Sequence, residues 1–414
     1  TQIGKHGVGF KSVLSLTKSP VIRSSGVEFE IRDIVLPNIL DNNYNGEKTE
    51  IILPFNREDL NVDQTISNIY NRITNLGFRN ILFLNNIQKI EWEFEENSGI
   101  YTKSSQDNYQ GQPVSRRTIN YSQNVNSERE VSEATYLVFS EKIKIEGNDL
   151  QTDIAYGIVD NDVKDTITRI DKSKICVFFE TEHETHLNFL IQAMFSTTST
   201  RERIPLNPED TQNFELLKHA GDITANSLKT LKALKLLNID VLNMMPLDED
   251  EDPILNMMYE KIKARLCSKI ELLPNQFGSF GNSENSMLAA TSWIEELLNQ
   301  QQCEQLFGKP YFIEKCQSHT ELYNYFKHEI GLDIIDSRTF AESLTKEFLE
   351  AQSDKWIMDF YKGVHKVESI WKITHNNQSP PLLDKFIIRG DDGKHYNIRD
   401  ENGDEAIYLF EDVA

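Results

Sequence analysis

The hydrophobic pattern of the chain changes its period once, near residue 209. Before that point, short runs rich in β-branched and aromatic residues predict strands, as in "ATYLVFS" (134–140) and "DIAYGIV" (153–159). After it, apolar residues recur at helical spacing over long stretches, as at 209–238 and 253–272. This order predicts a mixed α/β fold of the α+β kind, with a mainly helical region that ends in short strands.

Other elements follow from local patterns. A helix is predicted at 64–76, and the turn at Gly26 joins two predicted strands. The apolar run "ILFL" (81–84) is strand-like, whereas the polar stretch 102–133 is typical of either a long hairpin or a mobile insertion. Further predicted strands and helices are 20–25, 27–31, 49–55, 89–94 and 174–180, then 285–300, 318–330, 337–350 and 353–371.

Composition narrows the class of protein. The 414 residues are 39% hydrophobic and 26% charged, which is ordinary for a globular protein of two or three domains. No run approaches the roughly 20 apolar residues that a membrane helix needs, so no membrane partner is predicted. The four cysteines form no C-x-x-C pair and suit a reducing compartment, which predicts an intracellular, cytoplasmic protein with buried thiols.

The net charge of −22 disfavours general binding to nucleic acid, because an acidic chain repels phosphate backbones. Residues 1–32 run against this trend. They carry five basic residues, Lys5, Lys11, Lys18, Arg23 and Arg32. A locally positive segment in an acidic chain is compatible with an anionic ligand there.

The chain opens with a glycine-rich stretch, "TQIGKHGVGFKSVLSL", in which Gly4, Gly7 and Gly9 precede a helical pattern. Their spacing, G-x-x-G-x-G, is neither the dinucleotide fingerprint nor a Walker A loop. Glycines nevertheless let backbone amides approach an anion, and a helix starting at Phe10 would present unpaired N–H groups. From spacing alone, a glycine-rich connection before a core helix is an equal alternative.

The stretch "IGKHGVGFKSV" resembles the ATP-lid motif of the GHKL superfamily, most closely the branch of sacsin and the plant NO VEIN proteins. Four further segments resemble that branch in the same order: "SPVIRSSGVEFEI" (19–31), "KTEIILPF" (48–55), "VFFETEHETHLNFLIQAMFSTTSTRERIP" (177–205) and "FIIRGDDGKHY" (386–396). The resemblance spans most of the chain. It implies the C-terminal part of a Bergerat-type ATP-binding sandwich, followed by an α/β middle domain.

The resemblance also implies roles for individual residues. Phosphates would be bound by the lid residues Gly4, Lys5, His6, Gly7, Val8, Gly9, Phe10 and Lys11. Thr49 would lie beside adenine, and Arg201 would approach the γ-phosphate, with Arg203 as the fallback. Plainer alternatives are a solvated Lys11, a Thr49 that merely favours a strand, and an Arg201 in a surface salt bridge.

Some features depart from the family. Ala193, Met194, Ser196, Ser199 and Arg203 replace residues that are typical of its middle-domain segment. The family's general-base carboxylate, its magnesium-binding Asn and its adenine-reading Asp-x-Gly-x-Gly turn would lie upstream of Thr1. We therefore expect ATP and Mg²⁺ as cofactors and ATPase activity in an intact form, while this chain alone would be inactive.

The domains predicted on this basis are 1–100 (truncated ATP-binding domain), 101–208 (α/β middle domain with a polar insertion at 102–133), 209–376 (helical region) and 377–414 (short β segment). The predicted function is a slow, chaperone-like ATPase switch with protein clients; a non-catalytic scaffold that keeps the fold is the alternative. A relative in DNA repair is disfavoured by the charge. His183 and His186 lack the zinc-protease pattern H-E-x-x-H, so no metal site is predicted.

Overall fold

The structure is a computed structural model that describes residues 12–33, 36–40, 44–159, 165–198, 204–205, 211–248, 253–371 and 379–397. Within these ranges the chain has an α+β fold, as its hydrophobic pattern predicts. Strands dominate up to residue 193 and helices dominate from residue 211.

The first thirteen strands form two sheets in the described part of the chain. Their bounds are β1 (Val21–Ser24), β2 (Val27–Arg32), β3 (Leu36–Ile39), β4 (Glu50–Ile52), β5 (Lys89–Phe94), β6 (Asn97–Gln106), β7 (Ser115–Val125), β8 (Glu128–Ile145), β9 (Asn148–Val159), β10 (Thr166–Thr168), β11 (Lys174–Val177), β12 (Phe179–Glu184) and β13 (Leu190–Ala193). The smaller sheet has the order β3-β2-β1-β4. The larger has the order β12-β11-β13-β9-β8-β7-β6-β5, with β10 also paired to β9.

Helices alternate with very short strands in the second half. The α-helices of the described residues are α1 (Val62–Thr74), α2 (Arg79–Leu82), α3 (Thr211–Ala233), α4 (Ile239–Leu242), α5 (Pro253–Leu266), α6 (Ser292–Leu297), α7 (Gln300–Phe307), α8 (Thr320–His328), α9 (Ser337–Ser343), α10 (Lys346–Glu350) and α11 (Asp354–His365). The strands are β14 (Leu273–Pro274), β15 (Phe280–Gly281), β16 (Ser286–Ala289), β17 (Tyr311–Phe312), β18 (Ile334–Ile335), β19 (Ile388–Arg389) and β20 (His395–Tyr396).

Two-residue turns join several neighbouring strands. Ser25 and Gly26 connect β1 to β2, and both have positive φ (46° and 83°), which confirms the turn predicted at Gly26. Asn126 and Ser127 connect β7 to β8 with the same sign of φ. Turns of this kind match the twist of paired strands. The polar stretch 102–133 is therefore built from long strands, which confirms the hairpin alternative.

Two element predictions are wrong for physical reasons. The run 81–84 lies partly in α2 rather than in a strand, and Ile81, Leu82, Phe83 and Leu84 are all buried. A short run that is buried on every side carries no period to separate helix from strand. The region 285–300 is not one helix, because its first residues form β16, the central strand of the parallel sheet β17-β16-β18.

The described chain falls into two compact units. The first comprises Thr1–Ser104, Thr118–Glu133 and Lys144–Leu150; the second comprises Ser105–Arg117, Ala134–Ile143 and Gln151–Ala414. The long strands β6 to β9 contribute residues to both units.

The core of the first unit centres on aromatic side chains beneath α1. Trp92 lies opposite Gly99 across β5 and β6, and Tyr70 of α1 packs edge-on against the Trp92 ring at 6.1 Å between centroids. A Cβ at Gly99 would lie 2.3 Å from the Trp92 indole nitrogen. The indole therefore occupies space that any side chain at position 99 would need.

The core of the second unit joins β9 to α3. The Tyr156 hydroxyl lies 2.9 Å from Ser227 Oγ, and Ser227 itself donates to the carbonyl of Thr224 at 2.7 Å. Both Tyr156 and Ser227 are buried. This bond satisfies two polar groups that would otherwise be costly in an apolar core.

Substitution of Gly99 by alanine tests the packing of Trp92. We expect Gly99→Ala to lower the free energy of unfolding by about 1–3 kcal/mol, because the new methyl group forces the indole to move. Chemical denaturation measures this change. Ser98→Ala, at an exposed position of the same strand, is the matched control and should change stability by less than about 0.5 kcal/mol. Equal effects of the two variants would contradict the packing argument.

Candidate functional site

Most residues of the predicted nucleotide site lie outside the described part of the chain. These are Gly4, Lys5, His6, Gly7, Val8, Gly9, Phe10 and Lys11, together with Arg201 and Arg203. Their roles stay predictions. Thr49 is described, as are the segments that adjoin both groups.

The segment just after the glycine motif is a 3-10 turn, Ser12–Ser15, rather than the helix predicted for 10–17. Its end is held by residues that follow β4. Thr17 is buried and donates to Asn56 Oδ1 at 3.1 Å, and the Lys18 N–H donates to the same oxygen at 2.8 Å. Arg57 donates to the Leu14 carbonyl at 2.9 Å. Asn56 and Arg57 thus fix the chain on the downstream side of the glycine motif.

Thr49 lies immediately before β4 and is exposed. Its Oγ1 lies 2.7 Å from Ser24 Oγ at the end of β1, and Arg23 of β1 is opposite Glu50 of β4. A threonine hydroxyl has one donor and two acceptor positions, so this contact leaves capacity for a further partner. The pairing of β1 with β4 and the Asn56 contacts join Thr49 to residues 17–23, which lie downstream of the glycine motif in the sequence.

The basic residues of this region are largely neutralised. Arg23 lies 3.0 Å from Glu28 and 3.4 Å from Glu50, and Arg32 lies 2.7 Å from Glu30. The hydrogen bond to the buried Glu28 carboxylate raises the pKa of Arg23. The positive charges of Arg23 and Arg32 are therefore paired with carboxylates within the sheet and are not available to an anion.

One face of the four-stranded sheet is apolar and poorly covered. Cross-strand partners place Ile39, Phe29, Ile22 and Ile51 in one row from edge to edge, because directly opposed residues share a face. The two ends of this row are exposed, Ile39 to 74% and Ile51 to 54%. We call these four residues the apolar row.

A second predicted segment is anchored through Asn213 in the first turn of α3. The Asn213 side chain accepts from the Ser196 N–H at 2.8 Å and donates to the carbonyls of Ser196 and Pro205, both at 2.9 Å. Asn213 is fully buried. One side chain therefore joins the two described ends that flank Arg201 and Arg203 in the sequence.

Other candidate sites carry less chemistry. His183 lies in β12, and the described residues contain no group of three His, Cys, Asp or Glu side chains that could hold a metal ion. Burial raises the pKa of the Cys303 and Cys316 thiols to about 12, so these two remain protonated, whereas Cys267 is exposed. In the described residues, no helix has the length and apolar character required to cross a membrane.

Sequence reasoning missed Asn56, Arg57 and Asn213, which organise the two segments. Asn56 and Arg57 follow "ILPF" and match no motif, so their long-range partners have no local signal. Asn213 stands near a helix start, where asparagine usually serves as a cap. Its actual partners lie in the preceding segment, which only the folded chain brings close.

Comparisons of the chain with protein-family models, with curated proteins and with solved structures gave no match. The assignment of function therefore rests on the residues themselves.

Removal of the Asn213 side chain tests its anchoring role. Asn213→Ala deletes three hydrogen bonds and leaves the Ser196 N–H and the carbonyls of Ser196 and Pro205 without their partner. We expect the free energy of unfolding to fall by about 2–4 kcal/mol, measured by chemical denaturation. Asn226→Ala, on the exposed side of the same helix, is the control and should cost less than about 1 kcal/mol. A loss no larger than that of the control would contradict the anchoring role.

Proposed function

We propose that this chain contains the lid-side part of a GHKL-type ATP site and belongs to an ATP-operated conformational switch, similar to the sacsin and NO VEIN branch. The observation that carries the proposal is the set of contacts that joins residues 14–19, which follow the glycine motif in the sequence, to the segment that contains Thr49. The segments 14–19 and 49–57 are at least 30 positions apart in the sequence, and Asn56 and Arg57 join them directly. The β1–β4 pairing joins the strands that adjoin them. A shared ATP site requires this proximity.

The apolar row is a second support. A sheet face that carries Ile22, Phe29, Ile39 and Ile51 gains stability when another layer covers it. An ATP-binding sandwich of the GHKL type has such a layer. The exposure of Ile39 and Ile51 is therefore in keeping with a sheet that forms one layer of a larger nucleotide-binding unit.

In this proposal the protein's own groups have separate tasks. Backbone N–H groups at Gly4, Gly7 and Gly9 bind the phosphates, and the Thr49 hydroxyl binds the adenine edge while it retains its contact with Ser24. Mg²⁺ would screen the phosphate charge. Arg201 stabilises negative charge that develops on the γ-phosphate, and Asn213 holds the segments on either side of it. Closure of the lid residues over bound ATP would then drive chaperone-like work on protein clients.

Calorimetric titration with Mg-ATP tests the site, in this chain and in one extended upstream. Gly7→Val should weaken binding at least about tenfold, because a side chain blocks the approach of the amides to phosphate. Thr49→Val should weaken it about two- to tenfold through the loss of one hydrogen bond. Thr166→Val, at an exposed strand position of β10, is the matched control and should leave binding unchanged.

The same experiment can reject the proposal. Absence of ATP binding by both chains, or equal affinity of the Gly7→Val variant and the unaltered protein, would contradict it. Hydrolysis is expected only in the extended chain, since the resemblance puts the general base upstream. Binding without hydrolysis in that chain as well would favour the scaffold alternative.

A further inference from the structure

The segment 379–397 lies across α9, α10 and α11 and contains β19 and β20; we call it the strap. Its apolar side chains Leu382 and Ile387 are buried in the same core cluster as Phe340 of α9 and Phe360 of α11. The strap thus covers apolar surface that belongs to these helices.

Polar contacts hold the strap at several points. Lys385 donates to the carbonyls of Glu342 and Leu344, at 2.6 and 2.8 Å. Arg389 donates to the Gln352 carbonyl at 2.9 Å and lies 2.9 Å from Asp354. The Tyr361 hydroxyl donates to the Ile387 carbonyl at 2.6 Å.

His395 of β20 is a further contact point of the strap. It is fully buried, its Nδ1 lies 3.0 Å from the Phe386 carbonyl, and its backbone N–H donates to Glu350 at 3.3 Å. Because a carbonyl only accepts, Nδ1 carries the proton of the neutral ring. Nε2 is buried and, among the described residues, has no hydrogen-bond partner. A second proton would therefore be placed on a buried atom that has no acceptor beside it in the described part of the chain.

The charges around His395 favour the neutral ring on balance. Arg389 of β19 and Lys346 of α10 repel an imidazolium, whereas Glu350 of α10 attracts one. Burial is the largest influence and lowers the pKa of His395 below its ordinary value. The released strap would allow the ring to bind a proton in water at the usual pKa of about 6.5.

We propose that His395 is a pH-sensitive latch: the strap stays docked on α9–α11 while the imidazole is neutral, and protonation releases it. The released strap binds a proton more readily than the docked strap, so docking weakens as the pH falls below about 6.5. Release would expose the apolar surface now covered by Leu382 and Ile387. This inference is independent of ATP binding, since it depends only on contacts within the second unit.

Hydrogen exchange of the whole chain at pH 7.5 and pH 5.5, corrected for intrinsic rates, tests the latch. We expect opening of 379–397 to increase up to about tenfold at pH 5.5. Helix α3 should keep its protection. His395→Asn retains a donor near the Phe386 carbonyl but does not titrate, so its strap should exchange equally at both pH values. His328→Asn, at an exposed position in α8, should respond to pH as the unaltered protein does.

Three results would overturn the latch. The first is a strap that is equally protected at both pH values in the unaltered protein, and the second is an acid response that persists in His395→Asn. The third is a rise in exchange that includes α3 to the same extent, which would indicate global acid unfolding. The comparison of strap and α3 in the unaltered protein decides the matter even if His395→Asn does not fold.

Discussion

The buried hydrogen bond between Tyr156 and Ser227 is the link on which the second unit depends. Strand β9 lies between β8 and β13 in the large sheet, and Tyr156 projects from it to α3. Because α3 is fixed at Ser227, its first turn is also fixed, and that turn carries Asn213. Ser196 and Pro205 are therefore held by the same helix that packs against the sheet.

A comparable arrangement organises the first unit. There, Asn56 and Arg57 bind backbone and side-chain groups of residues 14–19 across a long loop. In both units an amide side chain has three hydrogen-bond partners: Asn56 binds the Lys18 N–H and two hydroxyl groups, and Asn213 binds three backbone groups. Polar groups that are buried and unpaired lower the stability of the fold. Replacement of either amide side chain is therefore expected to be destabilising, even though neither takes a direct part in chemistry.

The sequence predicts elements whose signal is local. The turn at Gly26, helix α1 and strands β5 and β9 follow from nearby residues alone. The run 81–84 does not, since uniform burial removes its period, and β16 is hidden because a strand in a parallel sheet is apolar on both faces. The same distinction between local and long-range signals applies to the residues of the candidate site. Thr49 is found by resemblance to a motif, whereas Asn56 and Asn213 act through partners 37 to 39 and 8 to 17 residues away.

The short turns of the large sheet bear on how the chain folds. Residues 95–96, 126–127 and 146–147 close β5–β6, β7–β8 and β8–β9 over only two residues each, so little chain entropy is lost before the strands gain their contacts. The pairing of β1 with β4 instead closes a loop of about 25 residues, and β11 pairs in parallel with β13. Contacts of low sequence separation form fast, so the meander from β5 to β9 is well suited to act as the early template. The segments around the glycine motif would then fold late, after the meander has formed.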